Sequence, residues 1–124
     1  MTQPLALLFY YNLLPGTQLM NRLQDLGYRV HVILDLANLV NQAVKEKPIV
    51  IITDLSAQRN ELLNAIRDLR NASATQHIPV LAYSRQADDA VQTAARSAGA
   101  NLVALEDGLL AQLPQLLDQV LVVD

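Results

Sequence analysis

Apolar positions along the chain fall into two alternating rhythms. Short, nearly unbroken runs come first: Leu5–Tyr11, Tyr28–Leu34, Ile49–Ile52, Ile78–Tyr83 and Asn101–Leu105. Between them, leucines, valines and alanines return every three or four residues. Leu19, Met20, Leu23 and Leu26 make one such stripe, and Leu36, Leu39, Val40, Ala43 and Val44 a second. Leu62, Leu63, Ile66 and Leu69 make a third, and the small residues Ala90, Val91, Ala94, Ala95 and Ala98 a fourth. The fifth is a tail of leucines at 109, 110, 113, 116, 117 and 121. Continuous β-branched runs bounded by breakers predict strands buried on both faces, and three-to-four spacing predicts amphipathic helices. Gly27 and Gly99 stand where helices should stop, and Asp35 and Ser56 where they should be capped. Pro114 inside the last stripe predicts either a helix starting there or a kink.

The central run is Lys47-Pro48-Ile49-Val50-Ile51-Ile52-Thr53-Asp54. Pro48 opens it, β-branched residues favour a strand, and Asp54 closes it. Five strands alternating with five helices through short loops predict a doubly wound parallel sheet of flavodoxin-like order 2-1-3-4-5, residues 1–124 forming one domain. Asp54 then lies at the carboxyl end of a central strand, where open α/β sheets place their chemistry.

Composition narrows the function. Apolar residues are 52% of the 124, so a core is easily supplied, and a charged fraction of 17% argues against disorder. A net charge of −3 without a basic block argues against nucleic acid as a partner. The absence of cysteine excludes disulfides and thiolate chemistry and fits the cytoplasm. The amino end does not read as a signal peptide, and no segment is long and apolar enough to suggest a membrane span. Two isolated histidines, His31 and His77, do not make a metal site.

In order and spacing, several pieces resemble the receiver domain of two-component response regulators, over the whole chain. They are Leu26-Gly27-Tyr28-Arg29-Val30, the Pro48-to-Asp54 strand, Ile78-Pro79-Val80 through Ser84, and Gly99-Ala100-Asn101. The resemblance implies that Asp54 stands at the phospho-accepting aspartate and Ser84 at the Thr or Ser that ends the fourth strand of phosphorelay receivers. It also exposes departures. The pair of acids that holds magnesium in receivers falls on Tyr10 and Tyr11, followed by Asn12. The lysine after the fifth strand falls on Glu106, with Asp107 next, and the aromatic switch position falls on Val103. The loop after Asp54 lacks the usual proline-glycine turn, and Arg85 replaces a small residue after Ser84.

Phosphoryl transfer to a carboxylate needs neutralisation of the charge on the moving group. One carboxylate is a poor magnesium site, and an anion at 106 repels phosphate. The resemblance with its departures therefore implies a degenerate receiver, or pseudo-receiver, without enzymatic activity and without magnesium or another cofactor. It would act through a protein partner or as a homodimer by its fourth helix, fifth strand and last helix, with Leu109 expected to face outward there. A receiver still phosphorylated on Asp54 and a small flavodoxin-like ligand-binding domain are the alternatives. Against the second, Asn12–Gly16 carries neither nucleotide-binding glycine motif. Asp54 can also be read as a turn cap, and Ser84 as a turn hydroxyl. Arg85 is expected to pair with Asp54, with Arg59 as the competing partner.

Overall fold

The structure is a computed structural model that describes residues 3–56, 59–86 and 88–121. Five parallel strands form one sheet in the order β2-β1-β3-β4-β5: β1 (Leu5–Phe9), β2 (Arg29–Val32), β3 (Val50–Asp54), β4 (Val80–Ser84) and β5 (Leu102–Leu105). Helices α1 (Leu13–Asp25), α2 (Leu39–Glu46), α3 (Arg59–Asn71) and α4 (Asp89–Ala98) connect them, and α5 (Glu106–Ala111) and α6 (Leu113–Val120) follow. This is the flavodoxin-like order expected from the alternation of runs and stripes. The described residues form six helices where five were expected.

The extra helix has a local cause. Proline lacks an amide proton, and inside a helix its ring meets the carbonyl four residues back, here that of Leu110. The chain therefore ends α5, turns through Gln112, and restarts with Pro114 in the first turn of α6. A smaller departure lies before α2. Asp35 does cap, its Oδ1 accepting the Ala37 amide at 3.0 Å, but Leu36–Asn38 is a 3-10 turn before the α-helix proper.

Strand alternation divides the core in two. Leu7, Ile51, Val80, Ala82 and Val103 face α2, α3 and α4, whose inward residues include Leu39, Ile66 and Ala95. Leu8, Ile52, Leu81 and Tyr83 face α1, α5 and α6, packing with Leu19, Leu23, Leu109, Leu113 and Leu117. β1, β3 and β4 are buried along their whole length, as their unbroken apolar runs require. Leu109, expected to face outward, is fully buried in the second core. Gly99 takes φ of 126°, a conformation that side-chain-bearing residues rarely adopt, and it ends α4 as anticipated. No described helix is long and apolar enough to cross a membrane.

Candidate functional site at the carboxyl edge of the sheet

Register fixes the site. Asp54 ends β3 directly beside Tyr83 of β4, and Tyr83 is beside Ala104 of β5. Phe9 pairs with Thr53, so the residues following β1 arrive next to Asp54. Tyr10 is set by packing: its ring lies where a Cβ at position 16 would be, so Gly16 in α1 is what lets it close down.

Asp54 is fully buried, and the chain itself supplies its partners. Oδ2 accepts the Tyr11 amide at 3.0 Å. Oδ1 accepts the Ser56 amide at 2.8 Å and, in a short contact, the Ser56 hydroxyl. The Asn12 side-chain amide leans toward Ser56 Oγ at 3.4 Å. Asp54 therefore ties the β1–α1 turn to the start of the β3–α3 loop. The turn-cap role read from the sequence is present, but Ser56 serves Asp54 with its hydroxyl. The contact to the amide two residues on is the ordinary habit of an Asp-x-Ser turn, which was the available signal for Ser56.

The expected Arg85–Asp54 pair is not formed. Arg85 is exposed, and among the described residues it makes no hydrogen bond or ion pair; the ion pair within 4 Å is His31 with Glu46, at 3.9 Å. The physical reason is that amides already satisfy both oxygens of Asp54, so a guanidinium would give up hydration for little return. The side chain of Arg59 lies outside the described residues. Ser84 is buried and its hydroxyl donates to the Gln86 carbonyl at 3.0 Å. The side chain of Tyr11 is exposed, so only its backbone belongs to the site.

Glu106 opens α5 immediately after β5, half-buried, with Oε1 enclosed and, among the described residues, without a hydrogen-bond partner. Burial raises its pKa above the usual carboxyl range; Arg85 opposes the rise, and Asp54 and Asp107 add to it. The Tyr83 hydroxyl is also enclosed and, among the described residues, unpartnered. Its pKa is pushed far above the phenol range by burial first, then by Asp54, Glu106 and Tyr10. Sequence reading missed Tyr83, which looked like one more apolar residue of a buried strand. An enclosed hydroxyl without a partner is destabilising, so Tyr83→Phe is expected to raise stability by about 1 kcal/mol in urea denaturation. A loss of more than about 1 kcal/mol would mean that the hydroxyl is bonded after all.

The donors around Asp54 do not suit magnesium. That ion takes oxygen ligands in near-octahedral array, with carboxylates supplying charge. Here both oxygens of Asp54 are engaged by backbone amides, and the turn after β1 brings Tyr10, Tyr11 and Asn12 next to it. Among the described residues, no group of three or more His, Cys, Asp or Glu is placed to hold a metal ion.

With this geometry in hand, the fold has clear counterparts. A response regulator from Burkholderia multivorans, known from its solution structure, matches at 25% identity and TM-score 0.71, covering 93% of this chain and 95% of its own. The receiver domain of a sensor histidine kinase from Pseudomonas aeruginosa matches at 22% identity and TM-score 0.85, covering 97% and 98%. That structure holds a magnesium ion in its active-site cleft. A chemotaxis protein of Vibrio cholerae matches at 19% identity and TM-score 0.83, covering 96% and 99%. No family model matches the sequence, and a search of the curated proteins finds no match. The fold is that of the receiver domains of response regulators, CheY-like in its order of strands.

Proposed function

We propose that the chain is a receiver-like module of two-component signalling that works without phosphorylation of Asp54, as a protein-binding domain. The observation that carries this reading is the state of Asp54. In-line attack on a phosphodonor needs a carboxylate oxygen within reach of the donor and countercharge on the group being moved. Asp54 is fully buried, each of its oxygens accepts an amide of its own chain, and the position after β5 holds Glu106. The module is read as non-catalytic, cytoplasmic, without magnesium or another cofactor, and not directed at nucleic acid or membrane.

The proposed partner surface is the edge formed by α4, β5 and the last helix, used for another protein or for a second copy. β5 is an edge strand in the observed order, and edge strands need cover. Leu105, at its end, is 40% exposed.

Acetyl phosphate with magnesium, followed by intact mass measurement, tests the reading; the mass is expected to stay unchanged. A stable gain of one phosphoryl group that disappears in Asp54→Asn would favour the alternative of a working receiver. The ligand-binding alternative has a cleft of about 450 Å³ beside the ends of β3 and β4, lined by residues that include Ser56, Ser84 and Arg85. A small molecule retained in native mass spectrometry would favour it.

A further inference from the structure

We infer that Glu106 is a proton-operated latch at the start of α5. Uncharged, it stays folded into the carboxyl edge of the sheet, in the neighbourhood of Tyr83 and Asp54. Charged, it turns out to solvent and Arg85.

The inward position has no place for a negative charge. Oε1 is enclosed and accepts no hydrogen bond. The Tyr83 hydroxyl, also enclosed and unpartnered, feels the charge of Glu106. Asp54, beside Tyr83, already accepts three hydrogen bonds from its own chain, and its proximity disfavours a charge on Glu106. An unpaired charge in such a place either neutralises or leaves.

The groups around Glu106 define both positions. Tyr10 follows β1, Asp54 ends β3, Tyr83 lies in β4, and Asp107 is next in α5. None of these is a cation. α1 packs against α5, but its charged residues Arg22 and Asp25 lie at its far end beside Leu113. Among the described residues, the cation that acts on Glu106 is Arg85, which is exposed and unpaired there. It is the outward partner.

The latch bears on α5 because Glu106 is its first residue, and α5 joins β5 to α6. Its position therefore sets how α5 leaves the sheet. The device does not depend on whether Asp54 is ever phosphorylated.

The sign of the linkage is fixed. A carboxyl whose folded-state pKa lies above its unfolded value contributes stability that is complete below the unfolded value. That contribution is lost as pH rises through the folded value. Glu106→Gln mimics the uncharged form, so it should match the parent chain at acid pH and become the more stable of the two toward neutrality.

The test is an NMR titration of the whole chain from acid to neutral pH, following side-chain carboxyl and backbone amide signals, with thermal melts of the parent and Glu106→Gln chains. Glu106 is expected to titrate above the ordinary glutamate value of about 4.3. Amides of residues 106–111 and of Tyr83 should shift with the same midpoint. Arg85→Ala should raise that midpoint further, and Glu106→Gln should abolish the shared transition. Titration at or below the ordinary value, α5 amides that ignore it, or a transition that survives Glu106→Gln would each overturn the latch. The parent titration decides the matter even where a variant folds poorly.

Discussion

Leu109→Asp is expected to leave the chain unfolded at room temperature. Leu109 is fully buried in the core shared by α1, α5, α6 and one face of the sheet. Removing a buried leucine side chain costs about 2–5 kcal/mol. Placing a carboxyl group in the same space without a hydrogen-bond partner adds several more. The total approaches the whole stability of an ordinary domain, about 5–15 kcal/mol. Far-ultraviolet circular dichroism and an amide correlation spectrum check this directly; a dispersed, native-like spectrum would contradict the packing of α5. Leu105→Asp is the contrasting substitution. Leu105 is 40% exposed at the end of an edge strand, so the chain should stay folded, within about 1 kcal/mol of the parent. If the α4, β5 and last-helix edge binds a partner or a second copy, Leu105→Asp should weaken that association.

The contrast shows what the sequence could and could not reveal. Strand and helix rhythms are local consequences of burial on two faces or on one, so the element order and the 2-1-3-4-5 sheet could be read from the chain. Which leucine of the tail points inward depends on the break at Gln112, which lets the residues on both sides turn separately toward the sheet. Periodicity across the whole tail does not contain that break, although Pro114 marks its neighbourhood. The site divides in the same way. Asp54 at the end of β3 and Ser84 at the end of β4 were legible, because strand ends are marked by the last apolar residue. The partners of Asp54 were not. The Tyr11 amide reaches it across 43 positions of sequence, and backbone donors carry no residue-type signal. Arg85 looked like a partner because charge type was visible while amide positions were not. Asp88 went unread although it caps α4, its Oδ1 accepting the Ala90 and Val91 amides at 3.0 and 3.3 Å. The Asp88-Asp89-Ala90-Val91 pattern was signal enough for that.

Arg70→Ala is expected to lower stability by about 2–4 kcal/mol, the largest effect of any polar substitution considered. In the sequence this residue is a cation in the last turn of α3, suited to the helix dipole. In the structure it joins three segments. Nε donates to the Gly99 carbonyl at 2.8 Å, and Nη1 to the carbonyls of Gln76 and Ile78 at 2.8 and 2.7 Å. Nη2 makes a short contact with Asn101 Oδ1, which also accepts the Val80 amide at 2.9 Å. A planar fork of donors can do this, while a lysine ammonium cannot reach acceptors so spread, so Arg70→Lys should recover less than half of the loss. Gly99 serves the same arrangement. A Cβ there would strike the Arg70 side chain, and its φ is strained for other residues. The estimate is held below the sum of four charged hydrogen bonds because the guanidinium is only partly buried and water can replace some contacts. Urea denaturation measures the loss, and hydrogen exchange locates it. Amides at the start of β4 and in β5 should lose protection first, since Arg70 and Asn101 fix the approach of both strands. A stability change below about 0.5 kcal/mol would show that these contacts contribute little. Because α4 and β5 belong to the proposed partner surface, loosening them from beneath should also weaken association, although Arg70 itself lies at the opposite edge of the sheet from Asp54.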